Sequence, residues 1–446
     1  MDFFNLFNTV GQNIWIYGGS FLLVLSVLVF IHEWGHYIVA RMCGVRVEIF
    51  SIGFGPELFG FDDAHGTRWK FSLVPLGGYV KMYGDADPAS AGHEDADAIP
   101  DNKRHEAFFA KPVAQRAAVV FAGPAINYVY AIIVMAFVFA FNGQSLTPPY
   151  ASAVVGGSAA ETAGFMPHDE IVAINGQAVR SFEDIRKSVL VGLDEKRIFT
   201  VVRDGQEVDL IAYPDKKQEE DRFGFSSSRG FLGITGAQHA VLLKTITSVD
   251  GAAVEGVDAV RAALRDKIGG EKPFWIGVDG DDRFLVSPQR AMNADFDNQD
   301  YLALSDGRED IIMQYSPLQA LGHATVEVWS TTTSTLQALG QMFTGARSAT
   351  ELGGLIRIGA LAGDIAQKGF IALIMFSALL SVNLGLLNLF PIPVLDGGHL
   401  VFYAIEAASG KPVSEKAQDI AFRFGFGFLI AVMAFANIND IVQLFL

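Results

Sequence analysis

The sequence is short of cysteine and of positive charge. A single thiol, Cys43, stands among 446 residues, so no intrachain disulfide framework can form. Cys43 is expected to be a small apolar filler. Only 33 lysines and arginines stand against 49 aspartates and glutamates, which gives a net charge of −16. A chain this acidic gives no reason to expect a nucleic-acid partner.

Charge is also missing from four long apolar stretches, residues 13–31, 117–141, 369–395 and 424–439. A bilayer core of about 30 Å is crossed by roughly 20 helical residues. The sequence therefore predicts four transmembrane helices. The first stretch is not expected to be a cleaved signal peptide, because no lysine or arginine precedes it and no small-residue cleavage site follows it.

The positions of lysine and arginine predict the orientation of these spans. None occurs in residues 1–40 or after Arg423, and they flank the opposite ends of the spans. Cytoplasmic loops are enriched in these residues. We therefore expect residues 41–116 and 396–423 in the cytoplasm, and both termini and the long segment 142–368 outside.

The long segment contains an internal duplication. Residues 171–190 align with 246–265, and 199–211 align with 274–286. Each copy has the pattern strand, Asn-Gly or Asp-Gly turn, short helix, and hairpin on an Asp-Gly turn.

The two copies resemble PDZ domains, which we place at residues 143–225 and 226–292. PDZ domains hold an extended peptide against a sheet edge, so a peptide in such a groove is an expected partner. Passive spacers or a filter against bulky substrates are equally compatible with the pattern. The second copy lacks the usual lead-in, AAETAGFMPHDEI in the first copy, which leaves its peptide groove open to question.

The rest of the chain divides around these copies. Residues 1–142 carry the first two spans, with a strand-forming region at 45–82, and residues 369–446 carry the last two. Residues 293–368 are expected to be a polar loop followed by a helix. That helix, at about 316–345, has little charge and fits either the membrane surface or a plain linker.

The first span contains the motif HEWGH. His32 and His36 are four residues apart, so a helix presents both imidazoles on one face, within reach of one ion. Zinc favours histidine nitrogen, and Glu33 can act as a general base without being a ligand. Ionisable groups inside a span are rare and usually functional, although neighbouring spans could also satisfy them structurally. Gly35 has no side chain, so a neighbouring helix is expected to approach closely at this position.

Two histidines need a third ligand. Asp396 follows the third span in the stretch NLGLLNLFPIPVLDGGHL, residues 383–400. Pro391 and Pro393 should break the helix just before it. Since the first and third spans run in opposite directions, Asp396 should reach the depth of the two histidines. His399 is the alternative ligand.

HEWGH together with NLFPIPVLDGG resembles the site-2 protease family of intramembrane zinc metalloproteases, over close to the whole chain. The matching stretches also include VRVEIFSIGFGP (45–56), VPLGGYVKM (74–82) and FAGPAINY (121–128). The resemblance implies Zn²⁺ held by His32, His36 and Asp396, with Glu33 as the general base. It further implies that Asn383 and Asn388 contact the substrate backbone, although interhelix hydrogen bonding is an alternative for Asn383.

The strand-forming region 45–82 is implied by the resemblance to form a sheet that dips into the membrane near the metal. Its exposed edge could hold an unwound substrate. Gly53, Gly55, Gly77 and Gly78 would allow the bends beside the substrate, or are ordinary turn glycines. The stretch 351–360, ELGGLIRIGA, departs from a Ser-Gly-Pro motif of the family.

These observations predict a polytopic α-helical membrane protein with four transmembrane helices and a membrane-associated β-sheet, plus two external α/β PDZ domains. The expected function is intramembrane zinc-dependent cleavage of single-span membrane proteins in a bacterial inner membrane. The resemblance implies an anti-sigma factor and signal-peptide remnants as substrates. A zinc or proton carrier and a membrane-anchored PDZ scaffold are the alternatives.

Overall fold

A computed structural model describes residues 14–84, 99–237, 239–280 and 282–445. The long helices of this part of the chain are α1 (Ile14–Met42), α2 (Val113–Phe141), α6 (Pro317–Thr344), α8 (Phe370–Asn388) and α10 (Glu415–Phe445). The shorter ones are α3 (Ala159–Ala163), α4 (Phe182–Val191), α5 (Val257–Arg265), α7 (Leu355–Gln367) and α9 (Asp396–Ser409).

The strands form a hairpin beside the helices and a group of sheets between α2 and α6. The hairpin consists of β1 (Val47–Asp62) and β2 (Arg68–Met82). The others are β3 (Gln144–Leu146), β4 (Ala153–Val155), β5 (Glu170–Ile174), β6 (Gln177–Ala178), β7 (Arg197–Arg203), β8 (Gln206–Ala212), β9 (Asp215–Glu220), β10 (Ser226–Phe231), β11 (Ile234–Thr235), β12 (Ala240–Leu242), β13 (Ile246–Val249), β14 (Ala252–Ala253), β15 (Phe274–Val278), β16 (Arg283–Val286), β17 (Tyr301–Ala303) and β18 (Ile311–Met313).

Within the described residues, four helices, α1, α2, α8 and α10, are long and apolar enough to cross a membrane, as the sequence predicts. Their ends differ from those of the apolar stretches. The third apolar stretch extends to residue 395, but α8 stops at Asn388, which confirms the predicted helix break at Pro391 and Pro393. α10 begins at Glu415, well before residue 424, since polar residues can extend a helix beyond its apolar part. Residues 1–13 lie outside the described part of the chain.

Close helix packing brings α1 and α2 together at Gly35. A side-chain carbon at Gly35 would overlap the carbonyl oxygen of Ala122 on α2. This confirms the predicted close approach at the glycine of the motif. On its other side α2 packs against α6, where Ala320 and Ala324 of α6 are buried with Met135 of α2.

The β1–β2 hairpin folds back on itself. Phe50 in β1 pairs with Val80 on one side and Trp69 on the other, so the start of β1 lies between the two ends of β2. Phe50 and Trp69 stack with ring centroids 4.2 Å apart. Gly53 and Gly55 have φ of 93° and 86°, a left-handed conformation that favours glycine, and they mark the bend in β1.

Two larger sheets lie between α2 and α6 in the chain. We call these two sheets, together with the helices α3, α4 and α5, the sheet unit. The first has the strand order β6-β5-β7-β8, and the second has the order β11-β4-β16-β15-β13-β14. The strands β14-β13-β15-β16 thus repeat the order of the first sheet. β4 precedes the first sheet in the chain but pairs with β16 in the second. The duplication and the PDZ identity of the two units stay predictions.

Candidate metal centre

Two helices carry the predicted ligands, and an unwound segment positions one of them. His32 and His36 lie one turn apart on α1, and Asp396 is the first residue of α9. The chain between α8 and α9 is unwound, and Val394 in this break has φ of 90°, unusual for a branched side chain. A side-chain carbon on Gly397 would overlap the carbonyl of Phe390, so only glycine lets α9 begin this close to the break.

The three side chains converge on one point. Nε2 of His32 and Nε2 of His36 lie 3.3 Å apart. Asp396 places Oδ2 3.2 Å from Nε2 of His32 and Oδ1 3.6 Å from Nε2 of His36. One ligand atom from each residue falls within 4.8 Å of the others. Asp396 therefore lies at the depth of the two histidines, as expected from the opposite directions of the first and third spans.

Hydrogen bonds on the far sides of the rings orient both histidines. Nδ1 of His36 lies 2.9 Å from the carbonyl oxygen of Val119. A carbonyl can only accept, so Nδ1 carries the proton and Nε2 presents a lone pair toward Asp396. Nδ1 of His32 lies 3.0 Å from Nδ2 of Asn127, a fully buried residue of α2.

This geometry fits a zinc ion. Two nitrogens bound to zinc with tetrahedral geometry at about 2.0–2.1 Å are about 3.4 Å apart, close to the separation of the two Nε2 atoms. Oδ2 of Asp396 is buried and, among the described residues, accepts no hydrogen bond, although Nε2 of His32 lies 3.2 Å away. A buried carboxylate oxygen and imidazole lone pairs that point at one another repel, and a cation between them removes that repulsion. Three protein ligands also leave a zinc position open for substrate or water.

Glu33 lies beside this group without belonging to it. It lines a cavity of about 200 Å³ that also opens onto the three donors. Gly78 of β2 faces it so closely that a side-chain carbon there would lie 3.3 Å from Cγ of Glu33. The glycine therefore keeps the sheet edge against the acid. The cavity is lined by His32, Glu33, His36, Gly78, Tyr79, Val80, Met82, Phe108, Val120, Asn388, Val394, Leu395, Asp396, His399 and Tyr403.

The two predicted substrate-binding asparagines occupy different places. Nδ2 of Asn388 lies 3.4 Å from Nε2 of His32, and Asn388 lines the cavity. Asn383 lies away from it, and its Oδ1 accepts a hydrogen bond from Thr335 on α6 at 3.0 Å. The interhelix hydrogen bond considered as the alternative for Asn383 is therefore present.

Of the four hairpin glycines, Gly78 lines the cavity, whereas Gly53, Gly55 and Gly77 lie in the hairpin outside its lining. The alternative ligand, His399, lines the cavity but lies outside the group of three donors, and its ring packs against Phe422 at 5.1 Å.

Sequence reasoning missed Asn127. The stretch FAGPAINY that contains it was matched only as part of the resemblance. A lone asparagine in an apolar run has no spacing that singles it out. Its one signal is chemical, because a buried amide inside a span needs a polar partner.

A histidine pair on one helical turn, an aspartate from a second helix and a glutamate beside them, all within a bundle of membrane-length helices, define a membrane-embedded metallopeptidase centre. The chain belongs to peptidase family M50, whose family model matches residues 20–432. This confirms the resemblance to the site-2 protease family, together with the metalloprotease activity and the zinc cofactor.

Several bacterial relatives cover nearly the whole chain. A protein of Rhizobium meliloti named as a zinc metalloprotease is 36% identical over 427 residues, 96% of each chain. Another from Agrobacterium fabrum, named likewise, is 37% identical over 95% of each chain. The regulator of sigma-E protease RseP of Escherichia coli is 33% identical over 95% of this chain and 98% of its own.

Proposed function

We propose that this protein is an intramembrane endopeptidase that performs site-2 cleavage of single-span membrane proteins in regulated intramembrane proteolysis. The observation that carries the proposal is the convergence of His32, His36 and Asp396 beside Glu33, among helices of membrane length. Likeness to the regulator of sigma-E protease favours an anti-sigma factor as substrate, with signal-peptide remnants as a second class.

His32, His36 and Asp396 would hold the zinc ion. Bound there, zinc supplies Lewis-acid activation of water and of the scissile carbonyl. Glu33 lies within the same cavity and has no ligand role, so it is the group that takes the proton from the attacking water. The same carboxyl then delivers that proton to the amine of the leaving strand.

The edge of β2 is the proposed place for the substrate. A peptide bond inside a helix is shielded by its own hydrogen bonds, so the substrate must unwind before it is cut. Gly78 and Val80 border the cavity and pair with β1 on one side only. An extended substrate strand would pair with that edge. Asn388 would donate its amide N–H to a substrate carbonyl next to the metal.

The sheet unit is proposed to lie outside the cytoplasm in a bacterial inner membrane, with both termini on that side and the metal centre near the cytoplasmic face. It would exclude substrates whose external part is still bulky, or hold a peptide in a PDZ-type groove. Absence of lysine and arginine from residues 1–40 and after Arg423 supports this orientation.

Co-expression with an epitope-tagged single-span substrate tests the proposal. Glu33→Gln and Asp396→Asn should each abolish cleavage at normal protein levels. Glu415→Gln and Asp419→Asn make the same changes at exposed positions of α10 and should leave cleavage intact. Cleavage retained in Glu33→Gln or in Asp396→Asn would contradict the roles given to these two side chains.

A further inference from the structure

The hairpin β9–β10 reaches from the sheet unit to the helix bundle. Its strands pair in register from Ser226↔Glu220 to Phe231↔Asp215. All of β9 is exposed, whereas two phenylalanines of the turn, Phe223 and Phe225, are buried. We call residues 221–225 the hairpin tip. The tip contacts α1, α7 and α10, three helices that are remote from it in sequence.

Two aromatic rings seat the tip in a socket between these helices. Phe223 and Phe225 are 7% and 1% exposed, and they form one buried cluster with Tyr17 of α1, against which Ala360 of α7 and Leu444 of α10 pack. The rings of Tyr17 and Phe223 meet edge to face at 6.4 Å. Exposed hairpin turns are usually polar, so two buried phenylalanines here indicate a docked contact.

Polar contacts surround the aromatic rings. Arg222 forms an ion pair with Asp364 of α7, and its Nη2 donates to the hydroxyl of Tyr17 at 3.0 Å. The backbone N–H of Ser226 donates to Oε1 of Gln443 on α10 at 3.0 Å. All three helices of the socket are therefore bonded to the hairpin as well as packed against it.

The shape of the tip is built into its own sequence. Oδ1 of Asp221 accepts from the N–H groups of Phe223 and Phe225 at 2.9 and 3.0 Å. Gly224 between them has φ of 90°. These contacts hold both rings on the side of the turn that enters the socket, so docking orders little additional chain.

On a different side, the sheet unit is attached to α6. Nζ of Lys187 pairs with Oε1 of Glu327 at 2.7 Å, and Nε2 of Gln341 donates to the carbonyl of Val191 at 2.6 Å. α6 in turn packs on α2. The segment after α6 also holds the hairpin, because Nη1 of Arg347 donates to the carbonyl of Ser228 in β10 at 2.8 Å. To these attachments the hairpin tip adds its contacts with α1, α7 and α10.

We infer that the hairpin tip is a latch that fixes the sheet unit across one end of the helix bundle, and that this latch determines how bulky a substrate the protease accepts. The inference rests on the proposed function. A sheet unit held only on the α6 side could swing and uncover that end of the bundle. Phe223 and Phe225 are then specificity-determining residues that never touch the scissile bond.

The test compares two substrates with the same membrane segment, one carrying a folded external domain and one trimmed to a short external tail. In the double variant Phe223→Ala, Phe225→Ala the loss of two buried rings shifts the docked equilibrium by about a hundredfold or more toward release. Cleavage of the long substrate should rise about tenfold or more, and cleavage of the short one should stay unchanged. Tyr213→Ala, an exposed aromatic residue of the same unit, is the matched control.

A labelling measurement reports whether the tip has left its socket. In the Cys43→Ser background, which has no other cysteine, Ala360→Cys places a thiol under the tip. A membrane-impermeant maleimide should label it faster when both phenylalanines are replaced. If the double variant also loses cleavage of the short substrate, Arg222→Ala provides the same comparison with both rings kept.

Unchanged cleavage of the long substrate overturns the inference whichever way labelling turns out. A protected thiol would mean that the rings do not hold the tip, and a labelled thiol would mean that a released tip does not set the size limit. Failure of the parent protein to cleave the short substrate would instead contradict the proposed function.

Discussion

Nδ2 of Asn127 lies 3.0 Å from Nδ1 of His32, at the edge of the ring away from Asp396. The hydroxyl of Ser381 on α8 donates to the backbone carbonyl of Asn127 at 3.0 Å and also lies 3.3 Å from its amide. As placed, Nδ2 donates to Nδ1 and Oδ1 accepts from Ser381, whereas zinc binding through Nε2 of His32 needs a proton on Nδ1. The amide oxygen and nitrogen exchange places by a half-turn of the side chain. Oδ1 then accepts the Nδ1 proton, and the Nε2 lone pair faces Asp396. A ligand on α1 is thus oriented by residues of α2 and α8.

Asn127→Ala should therefore weaken zinc binding without removing a ligand. Loss of a partner that orients a histidine ligand costs about 10–100-fold in metal affinity or activity. Competition with a fluorescent zinc chelator measures the change on purified protein. Asn142→Ala, at the exposed end of the same helix, should leave the affinity unchanged. Equal affinity in Asn127→Ala and the parent protein would argue against an orienting role.

Gly123→Ala should damage the same centre by steric overlap. A side-chain carbon at Gly123 would fall on Nε2 of His36 and within 2.9 Å of the His32 ring. The rings must move, and overpacking of this kind costs about 1–3 kcal/mol. We expect lower zinc content and lower cleavage. Gly427→Ala places the same methyl group in open space on α10 and should be silent. A fully active Gly123→Ala would contradict the observed ring positions.

The C-terminal end of α9 is held by an ion pair at some distance from the metal ligands. Nη2 of Arg116 on α2 lies 2.6 Å from Oε1 of Glu406, both largely buried, and the guanidinium also stacks over Tyr403. Because α9 carries Asp396, Glu406→Ala should lower both cleavage and thermal stability. Leaving a buried charge without its partner costs about 3–5 kcal/mol at full burial, so we expect somewhat less here.

The control for this pair is an exposed one. Arg423 and Asp419 on α10 are 2.9 Å apart in solvent, and Arg423→Ala should change stability by less than about 1 kcal/mol. Thermal unfolding in detergent compares the two variants. Equal shifts for Glu406→Ala and Arg423→Ala would show that the Arg116 pair does not position α9.

The turn of the β1–β2 hairpin should lose stability in acid because of Asp63. Burial raises the pKa of Asp63, but hydrogen bonds from Thr67, Trp69, Tyr37 and His65 outweigh it and lower the pKa from 3.8 to about 2. A lowered pKa means that this contribution is complete above pH 3.8 and is lost as the pH falls toward 2. Asp63→Asn should therefore be less stable than the parent protein at neutral pH.

Hydrogen exchange of the hairpin amides at stepped pH measures the difference between the two proteins. The difference in hairpin stability between the parent protein and Asp63→Asn should disappear as the pH falls from 3.8 toward 2. The hydroxyl of Tyr37 donates to Asp63 at 2.9 Å and so ties α1 to the hairpin turn. Because Tyr37 follows the ligand His36, we expect cleavage to fall in Tyr37→Phe. A difference that is constant over this pH range would assign the stability to another group.

The four spans and the metal centre could be predicted because both depend on short-range patterns. Apolar length sets the spans, and the four-residue spacing of His32 and His36 places both on one helical face. Depth and chain direction made Asp396 the candidate third ligand with His399 as the alternative, and the family resemblance implied Asp396. The apolar stretch runs seven residues past the end of α8 at Asn388, because the residues around the predicted break at Pro391 and Pro393 are themselves apolar.

Other features depend on contacts between segments that are distant in the chain, and no local pattern encodes them. Asn127 is one polar residue in an apolar run, and its role appears only when His32 lies beside it. The local sequence of the hairpin tip predicts only an ordinary turn at Gly224. The buried position of Phe223 becomes visible only in the folded structure. The position of β4 in the second sheet is likewise set by tertiary pairing.

The zinc content of purified variants tests the central claim most directly. If His32, His36 and Asp396 hold one zinc ion and Glu33 only moves protons, parent and Glu33→Gln should each contain one zinc per chain. His36→Ala and Asp396→Ala should then contain far less under the same conditions. Full zinc content in His36→Ala or Asp396→Ala, or its loss in Glu33→Gln with the fold intact, would contradict this account of the site.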